Sequence, residues 1–336
     1  MKKNVLITGV TGMVGSHLVD YILKKTNWNI YGMCRWRSPL DNVNHLLDLA
    51  NKKKSRLKFL YADLNDYSSM IKVIENSKPN YIFHLAAQSY PQTSFNEGNM
   101  TLETNIIGTY NLLNAIKLKK LNPKIHVCSS SEVFGRVSKE LVPIDESCAY
   151  HPASPYAISK VGTDLIGKYF FEAYNLKIFI TRMFTHTGPR RGDIFSESSF
   201  AKQIALIEAK KIEPIIKVGN LNSLRTYADV RDAVRAYYLL LTKKLNPGQM
   251  YNIGGNFTCS VGEMLNFLIS ISKVKKIKIQ IDKNRLRPID ADLQIPNINK
   301  FSSHTGWKPV IPFKKTMIDL LNYWRLKVKT QNFLDR

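Results

Sequence analysis

The chain is poor in cysteine, in acidic residues and in long apolar runs, and each shortage removes a class of protein. Four cysteines (Cys34, Cys128, Cys148, Cys259) in 336 residues show no metal-type spacing and are too few to staple a domain of this size. No metal is expected, and a reducing, cytoplasmic setting is. No apolar run approaches the roughly 20 residues that a membrane-spanning helix needs. The opening Met1-Lys2-Lys3-Asn4-Val5-Leu6-Ile7 reads as a short strand running into glycines rather than a secretion signal. Internal repeats and low-complexity segments are missing as well. Acids number 26 against 49 lysines and arginines, a formal net charge of +23. The lysines cluster at Lys52-Lys53-Lys54, at Lys117, Lys119 and Lys120, and at Lys273, Lys275 and Lys276. These runs are scattered and carry no recognition motif, so they are read as solvated surface whose field favours an anionic ligand, not as a nucleic-acid footprint.

What is present is a regular alternation of apolar strands and amphipathic helices. Val5-Leu6-Ile7, Asn29 to Met33, Leu57 to Tyr61, Tyr81 to Leu85, Ile125 to Cys128 and Ile178 to Thr181 read as six strands. Met13 to Lys24 reads as the first helix, with Val14, Leu18 and Ile22 on one stripe. Strands separated by helices predict an α/β fold, a Rossmann-type doubly wound parallel sheet with ligands at the carboxyl ends of the strands. After residue 184 the regularity fails. Helical stretches at Phe200 to Lys211, Val230 to Leu241 and Val261 to Ile271 alternate with short extended pieces. The expected division is therefore a dinucleotide-binding domain over 1–184, carrying the chemistry, and a smaller α/β substrate lobe over 185–336. Crossings from that lobe back to the main sheet are allowed for.

Gly9, Gly12 and Gly15, with Thr11, Met13 and Val14 between them, follow the first strand and open the first helix. Missing side chains let backbone approach a pyrophosphate, and the helix N-terminus supplies aligned N–H groups and positive potential. A carboxylate at the end of the second strand would hold the ribose hydroxyls of NAD. The chain has Cys34-Arg35-Trp36-Arg37 there, and the guanidinium groups of Arg35 and Arg37 favour a 2′-phosphate, hence NADP. Asp63 and Leu64 after the third strand are candidates for the adenine end. Leu85, Ala86, Ala87, Gln88 and Ser89 are candidates to pack against the cofactor, and Asn105 to hold water or backbone at the active site.

Tyr156 and Lys160 stand one helical turn apart, so both project from one helix face. Ser154 is suited to cap that helix and Pro155 to its first position. A nearby cation stabilises phenolate, so the tyrosine is expected to serve as a base below its reference pKa near ~10. Ser130 and Glu132 are two residues apart, which on an extended segment aims both to one side. Glu132 is read as a second proton-transfer group, the alternative being a hydrogen-bonding support.

These motifs together resemble the extended short-chain dehydrogenase/reductase superfamily of nucleotide-sugar enzymes: the glycine turn, His84-Leu85-Ala86-Ala87, Ser130-x-Glu132 and Tyr156-x-x-x-Lys160. Gln88-Ser89-Tyr90 with Ser94-Phe95, Ser131 to Gly135, Pro189-Arg190-Arg191-Gly192, Gly219-Asn220-Leu221 and Arg287-Pro288 resemble its GDP-mannose 4,6-dehydratase branch. The resemblance spans nearly the whole chain. It implies a GDP-sugar substrate, Tyr156 as base at the sugar 4-hydroxyl, Ser130 bonded to that oxygen, Lys160 on Tyr156 and the nicotinamide ribose, and Glu132 at C5. It also implies His186 and Arg191 on the cofactor, Ser89, Asn105, Lys217, Asn220, Arg225 and Arg287 on the substrate, and a homodimer or homotetramer. Thr185, the segment Thr226 to Asp229 and Asp290 depart from the branch pattern, which leaves the sugar open among GDP-mannose, a GDP-heptose and GDP-N-acetylglucosamine. A GDP-4-keto-6-deoxyhexose reductase is the alternative reading, supported by Ala228 to Asp232; a dinucleotide-sensing nucleic-acid binder is a third.

Overall fold

The computed structural model describes residues 2–289 and 291–331, so Asp290 lies outside the described residues. Six strands follow one another as the alternation predicts: β1 (Asn4–Thr8), β2 (Asn29–Cys34), β3 (Leu57–Tyr61), β4 (Tyr81–His84), β5 (Lys124–Ser130) and β6 (Lys177–Met183). The second half adds β7 (His186–Thr187), β8 (Ile215–Val218), β9 (Leu224–Asp229), β10 (Met250–Ile253), β11 (Phe257–Ser260), β12 (Lys278–Ile281) and β13 (Leu293–Gln294). The main sheet has the order β10-β6-β5-β4-β1-β2-β3, and every neighbouring pair is parallel. Strand order therefore reverses between β1 and β4, and a crevice opens at their carboxyl ends.

Side-chain alternation along the strands fills both faces. Val5 and Ile7 of β1 point into one core with the helices Met13–Lys25 and Val230–Thr242, while Leu6 points into the other. That second core is closed by the helices Tyr67–Ser77, Gly108–Leu118 and Pro155–Tyr174. Burial on both faces is why these strands read as continuous apolar runs.

The boundary expected at residue 184 is not where the packing divides. β10 adds to the edge of the main sheet beside β6, and Ala233, Tyr237, Tyr251, Phe301 and Trp307 share a core with Val5 and Ile7. What stands apart is a smaller unit around β9, which pairs with β11, β13 and β7. β8 and β12 form a separate parallel pair. The helices Ser196–Glu208, Val261–Ser270 and Phe313–Lys329 bury their apolar faces together over this unit. The stretch Ala228 to Asp232 is scaffolding: Asp229 caps the next helix through the Arg231 N–H, and Asp232 accepts from the Val310 and Ile311 N–H groups. Among the described residues no helix is long and apolar enough to cross a membrane.

Two histidines are built into the main sheet as neutral groups. His84 is held between the hydroxyls of Thr8 (2.9 Å) and Thr109 (3.0 Å), and His126 meets the Thr181 hydroxyl at 2.8 Å. Burial, with Lys160 adding to it, pushes each down to about 3. In the unfolded chain a histidine takes up its proton near ~6.5. Below that pH the unfolded state binds protons the folded state refuses, so stability falls as the solution is acidified, by up to about 1.4 kcal/mol per pH unit per histidine. Urea unfolding followed from about pH 6.5 down to about pH 5 is expected to show this slope. His126→Asn should reduce it by one residue's share, the other buried histidines keeping the rest; an unchanged slope would refute the assignment.

Candidate active site

A cleft of about 900 Å³ runs along the carboxyl ends of the strands, from the glycine turn to the smaller unit. Its first end is shaped by what the glycines leave out. Gly9 has φ +70°, and a Cβ there would lie 2.8 Å from the Ala86 backbone. Thr8 fixes the same approach, its hydroxyl accepting from the Leu85 and Ala86 N–H groups at 3.0 Å each. Gly12 differs: its missing side chain would meet only the Gly9 carbonyl, at 3.3 Å, so the space above it belongs to the cleft. The helix Met13–Lys25 begins there with no side-chain cap and no acid in its first turn. Uncapped N–H groups over an open glycine cradle fit a pyrophosphate.

Gly9, Gly12, Met13, Val14, Gly15, Leu85, Ala87 and Ser89 line this end. Thr11 does not; its carbonyl accepts from the Asn42 side chain beside the turn. Ala86 is packed against Gly9, and Leu64 is buried against Gly108. Asp63 turns its carboxylate to the Asn65 N–H. Arg35 and Arg37 stand exposed beyond β2, flanking Trp36, which meets Tyr61 edge-on at 4.9 Å. Two further expectations are corrected. The Gln88 side chain is spent within its own loop, on Tyr90 and Thr101. Asn105 is buried and reaches no cleft: its amide accepts from the Gln88 N–H and donates to the Gln88 carbonyl and the Ser159 hydroxyl. It sits in a π-helical turn, Glu103–Ile107, whose loosened ladder leaves the Asn105 carbonyl to the Thr109 and Thr163 hydroxyls. Asn105 thus ties the loop after β4 to the helix Pro155–Tyr174 and does not touch ligand.

In the middle of the cleft Ser130, Glu132, Tyr156 and Lys160 converge. Ser154 caps the helix through the Ala157 N–H at 3.0 Å, with Pro155 in the first turn, so Tyr156 and Lys160 face β5. Ser130 is not followed by an extended segment. It ends β5 and caps the tight turn Ser131–Phe134, accepting from the Glu132 N–H at 3.2 Å. Glu132 reaches the cleft by that turn instead of by strand alternation. The Lys160 ammonium donates to the Cys128 carbonyl at 2.8 Å and lies 5.9 Å from the centre of the Tyr156 ring. Burial lowers its affinity for a proton.

The phenol of Tyr156 departs from expectation. Burial drives its pKa above 10, and the charge of Glu132 adds to this; a hydrogen bond with Ser130 and the Arg191 charge pull the other way. Without a ligand the tyrosine is therefore held neutral. One helical turn was enough to bring lysine and tyrosine to the same face, yet the ammonium is engaged by a carbonyl, so desolvation wins.

Beyond this centre the loop after β6 supplies His186, bonded to the Phe184 carbonyl at 3.1 Å and pushed by burial down to about 3. Arg191 donates to Glu197 at 3.2 Å and stacks 3.3 Å from the centre of the Phe195 ring. Asn220, Arg225 and Arg287 line the far end together with Arg285, which donates to the Ser199 hydroxyl at 3.0 Å. Several guanidinium groups in one recess suit a diphosphate. Lys217 is corrected: it is exposed and borders a separate recess with Lys283, its backbone clamped by the Gln203 side chain. Sequence reasoning missed Phe195, Glu197, Lys202, Gln203 and Arg285, all on the cleft wall. Only Arg285 had a local signal, the basic run from Lys283 to Arg287.

A dinucleotide turn opening directly onto a Ser–Tyr–Lys group, under a second unit built around β9, defines an extended short-chain dehydrogenase/reductase of the nucleotide-sugar kind. Residues 6–320 match the family described as GDP-mannose 4,6 dehydratase, and the chain belongs to that family. It is 30% identical to the GDP-mannose 4,6 dehydratase of Drosophila melanogaster over 95% of this chain and 85% of that protein. It is 28% identical to the GDP-6-deoxy-D-mannose reductase of Pseudomonas aeruginosa over 98% of this chain and 100% of that protein. Among solved structures, RMD from Pseudomonas aeruginosa complexed with NADPH superposes with a TM-score of 0.81 at 27% identity, covering 96% of this chain and 99% of that one.

Gly12→Val tests the cradle. A branched side chain there would occupy the cleft without meeting the core, so melting temperature should stay within a few degrees (about 1 kcal/mol). Dinucleotide affinity, measured by calorimetry, should fall at least about tenfold. Undiminished binding would show that the turn does not hold the cofactor.

Proposed function

We propose that the chain is an NADP-dependent 4,6-dehydratase of a GDP-hexose, a hydro-lyase that releases a GDP-4-keto-6-deoxy sugar. The observation that carries this reading is the pairing of a phenol and a carboxylate, Tyr156 and Glu132, at one cleft beside the glycine turn. A plain reductase needs only the first. NADP, when bound, supplies a hydride acceptor that takes hydrogen from C4 and later returns it to C6. Lys160 and Ser130 orient Tyr156, which first releases its own phenolic proton and, as phenolate, accepts that of the 4-hydroxyl. The 4-ketone acidifies C5–H; Glu132 accepts that proton and passes one to the departing 6-hydroxyl, which leaves as water, and C5 takes up a proton as C6 is reduced, balancing the one lost from the 4-hydroxyl. Two deprotonations at different atoms need two groups, and the cleft holds both.

NADP rather than NAD is supported by Arg35 and Arg37 after β2, where no carboxylate stands, and by the NADPH complex of the Pseudomonas aeruginosa relative. Arg225, Arg285 and Arg287 are assigned to the GDP diphosphate, with Asn220 beside them. Four free thiols accord with a cytoplasmic enzyme. Self-association as a homodimer or homotetramer is supported by an apolar face on adjoining helices, with Met100, Ile107 and Tyr110 on one side and Ile158, Leu165 and Tyr169 on the other, all exposed. Sedimentation should give a mass of at least two chains, and a monomer at micromolar concentration would contradict it.

A second reading, a GDP-4-keto-6-deoxyhexose reductase, is favoured by the match to the whole length of the Pseudomonas aeruginosa reductase. Incubation with GDP-mannose and catalytic NADP⁺ separates the two. The dehydratase yields a keto sugar without accumulating NADPH, and deuterium placed at C4 reappears at the C6 methyl group. A reductase leaves that substrate untouched and consumes NADPH with the ketone. Glu132→Gln should lower dehydration at least about a hundredfold, the weight of a general base, while C4 oxidation persists; full dehydration by this variant would remove Glu132 from the mechanism.

A further inference from the structure

Behind the cleft lies an ion pair that none of the steps above uses. Arg182 of β6 donates through Nε to Asp164 Oδ2 at 2.9 Å, and the two side chains are 2% and 0% exposed. The remaining guanidinium nitrogens are spent on the Glu146 carbonyl at 2.9 Å and the Tyr150 hydroxyl at 2.8 Å. Tyr150 in turn donates to Asp164 at 3.3 Å. The guanidinium also lies 5.1 Å from the centre of the Phe134 ring. Burial raises the Asp164 carboxyl, with Arg182 first among the groups that oppose it.

Such a pair is a poor source of stability, since removing two charges from water costs as much as their attraction returns, and an apolar pair of equal volume often folds as well. Its connections point to another use. Asp164 is one helical turn beyond Lys160 and two beyond Tyr156, on the same face. Phe134 belongs to the turn Ser131–Phe134 that carries Glu132. Arg182 stands beside Ser129 in the β5–β6 register, next to Ser130. One rigid guanidinium thus touches the helix that bears the phenol and the turn that bears the carboxylate.

We propose that Asp164 and Arg182 are positioning residues that hold Glu132 in register with Tyr156, so that proton removal at C5 follows oxidation at C4. This rests on the dehydratase reading. The test compares Asp164→Asn, Asp164→Glu and the double variant Asp164→Leu/Arg182→Met, the last removing both charges so that neither is left buried alone. All three are expected to bind NADP(H) normally and to keep KM for the GDP-hexose within about twofold, with kcat for dehydration in Asp164→Asn and the double variant reduced about 10- to 100-fold, the scale of a misplacement near 1 Å. Single-turnover C4 oxidation should survive, so that reduced nicotinamide accumulates by absorbance where the wild type shows none, and Asp164→Glu should restore part of kcat. Wild-type kcat in the double variant, or equal losses of oxidation and elimination, would overturn the positioning role alone. A wild-type enzyme that releases no keto sugar would overturn the functional reading and this role with it.

Discussion

The hydroxyl of Thr8 is the point on which the cleft depends. At the end of β1 it accepts from two successive N–H groups of the loop after β4 and meets the buried ring of His84. It does so where strand order reverses and the loops of β1 and β4 would otherwise diverge. One side-chain oxygen thus sets the distance between the glycine turn and the loop that follows β4. Gly9 makes that distance reachable, because any Cβ would strike Ala86. From this seam the cradle of Gly12, the loop of Gln88 and, through Asn105, the helix of Tyr156 take their places.

Electrostatics then divide the cleft into parts with different work. At the glycine end uncapped N–H groups supply positive potential without a charged side chain. At the centre, burial keeps Tyr156 protonated and weakens the proton affinity of Lys160. At the far end guanidinium groups gather where a diphosphate is assigned. The scattered lysines of the surface take no part in this division, and the +23 charge acts as a diffuse field around a cleft whose own charges are few and placed.

Local signals carried the first half of the molecule. Strands buried on both faces announce themselves as apolar runs, glycines after β1 mark the turn, and a serine–proline start followed by tyrosine and lysine four apart fixes one helix face. Asn105 holds backbone as expected, at Gln88, but the substrate role given to it fails because its amide is fully engaged by Gln88 and Ser159. Glu132 was placed at the cleft by the wrong geometry, since strand alternation stops at Ser130. Glu197, Lys202 and Gln203 were illegible for a different reason: the helix Ser196–Glu208 presents them to the cleft because of packing against Phe313–Lys329, more than a hundred residues away. A crossing back to the main sheet after residue 184 is allowed for, but which segment makes it is illegible, because β10 is short and nothing local says which sheet it joins.

That late strand has a consequence for how the chain acquires its shape. The first core is sealed by the helix Val230–Thr242, by β10 and by Trp307, so the sheet made from the first 183 residues keeps an open edge until β10 is synthesised and an incompletely covered apolar face until Trp307 follows. The two halves of the chain therefore mature together rather than in succession. A cut between them would strand both: the leading piece with a sticky, unfinished sheet, the trailing piece with a helix and a strand that have nothing to lie upon.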